Sequence, residues 1–283
     1  MATFFNQATL TYNNNVINSN ITTGEIQEAL TVTKTAVQDT YTQGDDVTYV
    51  INIRNTGVLP YNGLTITDNL GEYTTGTLTL VPLTYAEGSV NYFADGIPQT
   101  APIVTATSPL TITGIDIPAG GVATIIYTAR LNSFAPLDVG STITNTVTVS
   151  GGGITPISAE ETITAAEEAD LTITKSLNPT VVTENGRITY TFVIQNTGNT
   201  PVVATDNAII TDTFDPILTD LIVTFNGAAW TAPANYTYNP ATGQFATNAG
   251  QITVPAATYT QDPATGTVVI QPGVSTLTVT GTI

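Results

Sequence analysis

Residues 30–57, LTVTKTAVQDTYTQGDDVTYVINIRNTG, align without a gap with residues 171–198, LTITKSLNPTVVTENGRITYTFVIQNTG. Each stretch alternates apolar and polar residues and is broken by Gly, Asn and Pro, which is the pattern of short strands joined by turns. Alternation with a period of two places one face of each strand in a core and the other in solvent. The sequence therefore predicts an all-β fold in which an antiparallel β-sandwich occurs twice in tandem.

The repeat extends well beyond these two stretches. LTITDNL at 64–70 matches AIITDTF at 208–214, and IPAGGVATIIYTARL at 117–131 matches IQPGVSTLTVTGTI at 270–283. Repetition of the same motifs in both halves is typical of a scaffold rather than of a catalytic fold. The expected order along the chain is an N-terminal donor-strand extension at 1–27, a first β-sandwich at 28–164, a linker at 165–170 and a second β-sandwich at 171–283.

The chain is strongly acidic, with 5 Lys and Arg against 22 Asp and Glu among 283 residues and a net charge of −17. This balance argues against binding to nucleic acid or to anionic membranes, because both need Lys and Arg contacts. The chain has no Cys and no His, which excludes disulfides, thiol nucleophiles and Ser-His-Asp triads. No segment has the ~20 apolar residues of a membrane helix, and the carboxylates lack the spacing of a calcium loop. We expect no membrane insertion, no metal and no cofactor.

The two copies of the repeat end differently. After Leu131, the first copy continues through STITNTVTVSGGGITPISAEETI at 141–163. The second copy stops at Ile283, the counterpart of Leu131, and has no such strand. A sandwich that lacks its final strand has an open sheet edge and an uncovered strip of core, and both favour the addition of a strand from elsewhere.

A segment similar to the missing strand stands at the front of the chain. FNQATLTYNNNVINSNITTGEI at 5–26 resembles 144–163, with Asn6 matching Asn145 and the Asn-rich turn at 13–15 matching Gly151–Gly153. We expect this segment to act as a donor strand for another copy, through the residues Phe4, Phe5, Ala8, Leu10 and Tyr12. Because donor and acceptor lie at opposite ends of the chain, such a contact generates a head-to-tail filament. The alternative is a monomer that bends back on itself through 13–29.

The chain contains two lysines, and they occupy the same place in the two repeats. Strand parity puts each lysine on a core face, together with an aspartate of the TITD-type motif and an asparagine of the last strand. Polar groups on core faces need partners, or their burial costs several kcal/mol. The two sets are Lys34, Asp68 and Asn145, and Lys175, Asp212 and Asn6.

These residue types together suggest one reaction. Desolvation lowers the pKa of a lysine, so that a neutral amine can attack the side-chain carbonyl of the asparagine. A protonated aspartate would polarise that carbonyl, and ammonia would leave as an isopeptide bond forms. The same residues also fit two ordinary buried ion pairs, Lys34–Asp68 and Lys175–Asp212, with the asparagines only hydrogen-bonding a sheet edge.

The TITD, NTG and LTVTK motifs resemble the bacterial surface repeat family known as domain of unknown function eleven, over nearly the whole chain. The Lys, Asp and Asn sets are also similar to those of Gram-positive pilin and collagen-adhesin domains that carry isopeptide bonds. The resemblance implies immunoglobulin-like sandwiches that occur as tandem modules of cell-wall or spore-surface proteins. It further implies a bond from Lys34 to Asn145 within the first sandwich, with Asp68 as the catalytic residue.

The resemblance implies a second bond, between copies, from Lys175 to Asn6 with Asp212 in the catalytic role. We therefore expect a structural subunit of an extracellular filament on a bacterial cell or spore surface. Its partners would be further copies of itself, with anchor and tip proteins at the ends. It would not be an enzyme, since its only chemistry is a single autocatalytic bond formation. The alternative function is a monomeric surface adhesin or ligand-binding module.

Overall fold

The computed structural model describes residues 2–26 and 29–283. β-Strands make up nearly all of the regular structure, with one short 3-10 turn at Ala204–Asp206. The expected all-β class with several antiparallel sheets is confirmed. The predicted boundary between residues 27 and 28 lies outside the described residues. Within the described ranges, no helix has the length and apolar character needed to cross a membrane.

Residues 2–26 form a long two-stranded hairpin, which we call the N-terminal arm. Its strands are β1 (Ala2–Asn6), β2 (Thr9–Tyr12), β3 (Asn15–Asn18) and β4 (Thr22–Ile26). β1 pairs with β4 and β2 with β3, and Asn13 and Asn14 take positive φ at the turn, as asparagine can. The sequence predicts a donor strand followed by an Asn-rich turn at 13–15, and the chain reverses at that turn, so that residues 15–26 pair back along residues 2–12.

Residues 30–165, called the first repeat below, form two six-stranded sheets around one apolar core, an arrangement consistent with a β-sandwich. The strands are β5 (Leu30–Ala36), β6 (Thr40–Tyr41), β7 (Asp46–Asn55), β8 (Tyr61–Asp68), β9 (Tyr73–Thr75), β10 (Leu78–Leu80), β11 (Leu83–Tyr85), β12 (Asn91–Ala94), β13 (Ile97–Pro98), β14 (Ile103–Thr107), β15 (Leu110–Ile117), β16 (Val122–Leu131), β17 (Thr142–Ser150) and β18 (Ile157–Ala165). One sheet has the order β13-β12-β16-β7-β5, with β11 also on β16. The other has the order β14-β15-β8-β17-β18-β6, in which only the β18–β6 pair is parallel.

Residues 171–283, called the second repeat, form a five-stranded sheet, a three-stranded sheet and a separate hairpin. The strands are β19 (Leu171–Asn178), β20 (Arg187–Asn196), β21 (Thr211–Thr213), β22 (Thr219–Phe225), β23 (Ala228–Trp230), β24 (Tyr236–Asn239), β25 (Gln244–Thr247), β26 (Thr258–Gln261), β27 (Val268–Gln271) and β28 (Gly273–Thr282). The larger sheet has the order β19-β20-β28-β22-β23, and the smaller one β21-β25-β24. The β26–β27 hairpin contacts the first repeat, where Tyr259, Val268 and Ile270 pack against its core.

The two repeats differ at one edge. In the first repeat, β8 lies between β15 and β17, and β18 packs across β5. In the second repeat, β21 pairs only with β25 among the described strands, and β19 has no strand corresponding to β18. Leu171 and Ile173 of β19 are consequently 42 % and 54 % exposed, whereas Leu30, the counterpart of Leu171, is 7 % exposed. The second repeat therefore presents both an open sheet edge and an uncovered apolar face.

Candidate functional site

Lys34 on β5 faces Asp68 on β8 between the two sheets of the first repeat. Strand alternation puts both on the core face, since Lys34 follows Leu30 and Asp68 follows Ile66 with the period of two. Lys34 Nζ lies 2.6 Å from Asp68 Oδ2, and neither side chain is exposed to solvent. A charge pair removed from water in this way is stable only when its remaining hydrogen-bonding groups also find partners.

Tyr127 on β16 connects this pair to Asn145 on β17. The Tyr127 hydroxyl donates to Asp68 Oδ2 at 2.7 Å, and Asn145 Nδ2 donates to the Tyr127 oxygen at 3.0 Å. Asn145 Oδ1 accepts from the backbone N–H of Gly71 at 3.3 Å, not from Asp68 as the sequence suggests. The structure thus brings Lys34, Asp68 and Asn145 together, with a tyrosine between the aspartate and the asparagine.

Burial controls the protonation of this cluster. Loss of solvation lowers the pKa of Lys34 from 10.5 to about 8, although the nearby Asp68 carboxylate opposes the shift. The neutral amine, which is the nucleophilic form, is therefore much more accessible than in an exposed lysine. Burial also raises the pKa of Tyr127 well above its usual range, so its hydroxyl keeps its proton. The cluster can supply both an amine nucleophile and a neutral hydroxyl donor.

Tyr49 on β7 stacks against Tyr127, with ring centroids 5.5 Å apart, and its ring centre lies 4.7 Å from Lys34 Nζ. An ammonium group at this distance from an aromatic ring gains a cation–π interaction. The Tyr49 hydroxyl is buried near Asn145, whose Nδ2 donates to Tyr127 instead, and it makes no hydrogen bond of normal geometry within the described residues. The ring of Tyr49 therefore supports the site, whereas its hydroxyl is an uncompensated polar group.

Replacing Tyr49 by Phe should increase the free energy of unfolding by about 1 kcal/mol, because a buried hydroxyl without a partner costs about 1–3 kcal/mol. Denaturant titration of the full chain measures the change. Tyr41→Phe is the matched control: the Tyr41 hydroxyl donates to the Pro136 carbonyl at 2.7 Å, so its removal should decrease stability instead. A loss of stability in Tyr49→Phe equal to that in Tyr41→Phe would contradict the prediction.

Lys175 on β19 and Asp212 on β21 form the corresponding ion pair in the second repeat. Their side chains are 40 % and 17 % exposed, in contrast to the fully buried pair of the first repeat. Lys175 Nζ lies 4.5 Å from the ring centre of Tyr190 on β20, so the aromatic support is the same in kind. Parity predicts that Lys175 lies on a core face, but no described strand covers that face of β19, and the pair stays in contact with water.

Asn6 lies at the end of β1, opposite Thr22 of β4, and no described strand pair joins the arm to the second repeat. Phe4 packs its ring over its cross-strand partner Gly24. The other predicted donor side chains are also in solvent, and the exposures are 55 % for Phe4, 68 % for Phe5, 62 % for Leu10 and 68 % for Tyr12, with Ala8 exposed as well. The arm thus carries apolar side chains that have no core of their own.

Two residues of the first site, Tyr127 and Gly71, were not singled out from the sequence. Ile125, Tyr127 and Ala129 alternate along β16 and are all buried, so parity alone could have placed Tyr127 in the core. Gly71 takes φ +74° just after Asp68, and the sequence offers only a turn signal for it.

No family model matches the chain, and no curated protein matches it. Distant structural similarity connects it to the pilus backbone RrgB of Streptococcus pneumoniae (14 % identity, 86 % of this chain, TM-score 0.35) and to the major pilin subunit BcpA of Bacillus cereus (12 % identity, 95 % of this chain and 73 % of that chain, TM-score 0.36). A third similarity is to the collagen binding domain of the Erysipelothrix rhusiopathiae surface protein RspB (15 % identity, 57 % of this chain and 60 % of that chain, TM-score 0.26). The chain spans 55 % of the pneumococcal protein. The resemblance to the bacterial surface repeat family stays a prediction from the motifs.

Proposed function

We propose that the chain is the structural subunit of an extracellular filament on a bacterial cell or spore surface, in which the N-terminal arm of one copy completes the second repeat of another. The observation that carries this proposal is that β1 and β4 of the arm pair in the register of β17 and β18, with β2 and β3 displaced from it by one residue, while no such hairpin covers the second repeat within the described residues. Donor and acceptor are separate surfaces, so each copy can bind two others and the contact does not close on a pair. Further copies are then the main partners, with anchor and tip proteins at the ends.

The register of the two hairpins is the same around the asparagine. In the β17–β18 hairpin, Asn145 lies opposite Glu161. In the arm, Asn6 lies opposite Thr22, and each of these two residues precedes its counterpart in the β17–β18 hairpin by 139 positions. A shift of one residue would turn every side chain to the opposite face. The arm therefore presents Asn6 as the β17–β18 hairpin presents Asn145.

The first repeat also supplies a register for docking. β17 pairs with β8 so that Thr148 lies opposite Thr67. Transferred to the second repeat, this register places Thr9 of the arm opposite Thr211 on β21 and brings Asn6 to the lysine–aspartate pair. The open edge of β21 offers unpaired backbone groups for this contact, as in other cases of strand addition.

The second strand of the arm has a role of its own. In the first repeat β18 packs across β5, and the corresponding strands of the arm, β3 and β4, would cover β19. Leu171 and Ile173 would then leave water, which contributes about 25 cal/mol for each Å² of apolar surface removed. We therefore propose that the donated unit is the whole hairpin rather than one strand.

Within the first repeat, the proposed chemistry is attack of the Lys34 amine on the Asn145 side-chain amide, with Asp68 as the acid–base group. The new amide bond joins Nζ to Cγ, and Nδ2 leaves as ammonia. Folding holds the groups in place, and such proximity can replace an external enzyme.

Between copies, the same chemistry would join Lys175 to Asn6 of the docked arm, with Asp212 as the acid–base group. The ion pair is partly exposed before docking, and the arm would bury it. Because burial is what favours the neutral amine, we expect this bond to form only after assembly. The filament would then resist boiling in detergent.

Paired cysteines at Thr9 and Thr211 should cross-link copies of the chain into a ladder of disulfide-bonded multimers. The native chain has no cysteine, so every disulfide is an introduced one. Residues directly opposite each other on antiparallel strands have Cα atoms about 4.5–5.5 Å apart, within the range of a disulfide. Non-reducing electrophoresis of Thr9→Cys/Thr211→Cys in an Asn6→Ala background, which removes the proposed covalent bond between copies, measures the ladder.

The control is Thr9→Cys paired with Thr213→Cys, two residues along the same strand, where the diagonal separation of roughly 7–8 Å is too long for efficient closure. Cross-linking only within single chains would show that the arm bends back onto its own second repeat. Equal cross-linking of both cysteine pairs, or of neither, would reject the proposed docking.

A further inference from the structure

We infer that Tyr127 is a catalytic residue of bond formation in the first repeat, where its hydroxyl relays a proton from Asp68 to the departing nitrogen of Asn145. This inference rests on the cross-link proposed above and assigns a role to a residue which that proposal does not use. Its basis is the position of the Tyr127 hydroxyl oxygen, which lies between Asp68, the proton source, and Asn145 Nδ2, the leaving nitrogen.

The hydrogen bonds form one continuous series. Lys34 Nζ lies 2.6 Å from Asp68 Oδ2, the same carboxylate oxygen accepts from the Tyr127 hydroxyl at 2.7 Å, and that hydroxyl accepts from Asn145 Nδ2 at 3.0 Å. The second carboxylate oxygen is occupied by the Leu70 N–H at 3.0 Å. Each group in the series is therefore fixed in direction as well as in distance, and proton transfer needs such contacts of about 2.6–3.2 Å.

The protons balance along this series. Lys34 first gives one proton to Asp68, which leaves a neutral amine and a carboxylic acid. Nζ then attacks Cγ of Asn145, and the C–N bond to Nδ2 breaks. Nδ2 takes the proton of the Tyr127 hydroxyl and leaves as ammonia, while Asp68 reprotonates Tyr127 and receives the second proton of Nζ. The products are the isopeptide, ammonia and a neutral Asp68.

The carbonyl oxygen has a separate donor. The Gly71 N–H lies 3.3 Å from Asn145 Oδ1, where negative charge develops as Nζ attacks. Gly71 takes φ +74°, and a Cβ there would come within 2.5 Å of the Ile143 side chain. The site thus admits only glycine at this position, and it stabilises the oxyanion with a backbone donor, leaving Asp68 and Tyr127 free for proton transfer.

The second repeat differs from the first at this position. Tyr127 lies opposite Tyr49 on the paired strands β16 and β7, and Val279 lies opposite Tyr190 on β28 and β20. Val279 therefore occupies the place of Tyr127, fully buried, and its side chain cannot carry a proton. Among the described residues the relay is therefore complete in the first repeat, and the bond proposed between copies would depend on Asp212 without it.

The test is the rate of ammonia loss from the full chain during a short pulse of cell-free synthesis, followed by intact mass. All variants carry Asn6→Ala, so that only the first-repeat bond is counted. Tyr127→Phe keeps the ring and should slow the loss about 100-fold or more, the usual contribution of a general acid or base. Tyr85→Phe removes a hydroxyl from the other tyrosine that packs on Tyr127, with centroids 6.5 Å apart, and should react within about twofold of the parent.

A Tyr127→Phe rate equal to that of Tyr85→Phe overturns the relay while leaving the cross-link in place. Absence of ammonia loss in the parent chain overturns both the relay and the cross-link, and the cysteine experiment still decides whether the chains dock. An equal, large reduction in both variants would also reject the relay, since it would point to ring packing.

The pH profile of the parent gives a test that does not depend on a variant folding. The groups that face Lys34 are Asp68, Tyr49 and Tyr127, with Glu161 contributing at longer range. The relay needs the proton shared by Lys34 and Asp68, and this proton is lost above the lysine pKa of about 8. The rate should therefore fall as the pH rises through about 8; a rate that rises over the same interval would reject the relay.

Discussion

A chain without residues 1–26 should remain monomeric at concentrations where the full chain forms filaments. The arm is the proposed donor, and its removal leaves the open edge of β21 and the exposed face of β19 with nothing to cover them. Both repeats should stay folded, because the arm contributes to neither core among the described residues. Electron microscopy and sedimentation of the truncated chain measure the loss, which we expect to be complete.

Two point variants separate docking from folding of the arm. Leu10 is the counterpart of Val149, which is fully buried in the first repeat, whereas Leu10 itself is 62 % exposed in the free arm. Leu10→Asp should therefore leave the monomer unchanged and abolish filaments, since docking would bury an unpaired charge. Thr9→Asp, on the outward face, should assemble normally. Filaments that survive the truncation, or that tolerate Leu10→Asp, would contradict arm donation.

The free energy of unfolding of Lys34→Ala should be about 3–5 kcal/mol lower than that of Asn145→Ala, which keeps the ion pair and cannot form the bond, because Lys34→Ala leaves Asp68 buried without its counter-charge. Lys175→Ala removes the same charge from the equivalent position of the second repeat, where the side chain is 40 % exposed. In the monomer its cost should stay below about 1 kcal/mol, as for other exposed pairs. Denaturant unfolding of both variants, followed by hydrogen exchange to assign each repeat, measures the difference.

Asn145→Ala is the control that separates the ion pair from the cross-link. It prevents bond formation but keeps both charges of the Lys34–Asp68 pair, so any additional loss in Lys34→Ala belongs to the unpaired carboxylate. Equal losses in Lys34→Ala and Lys175→Ala would show that burial does not distinguish the two pairs.

Much of the Lys34–Asp68–Asn145 site could be predicted from the alternation of apolar and polar residues along the strands. Side chains on a strand point to opposite faces in turn, so the apolar neighbours of Lys34, Asp68 and Asn145 were enough to place all three inward, and the structure buries them. The same rule could not predict that Lys175 would be exposed. Parity identifies a face, but whether that face is covered depends on strands elsewhere in the fold.

The arm and Tyr127 show two other limits of the sequence. The turn at Asn13 and Asn14 follows from the match of 13–15 with Gly151–Gly153, but the packing of Phe4 over Gly24 does not follow from alternation of apolar and polar residues. Alignment of the two repeats does not reveal Tyr127, because the second repeat has Val279 at the corresponding position. A residue that differs between the two repeats, here Tyr127 against Val279, can therefore matter to the site as much as the residues that the repeats share.

The positions of Lys34 and Asn145 in the chain have a mechanical consequence. Lys34 lies on β5, near where the first repeat begins, and Asn145 on β17, near where it ends. A covalent bond between them would let a pulling force pass directly from one end of the repeat to the other. The strands between Lys34 and Asn145, including β7, β8, β15 and β16, would then bear no tension. A stretched filament could lengthen only in the parts of the chain that lie outside the segment from Lys34 to Asn145.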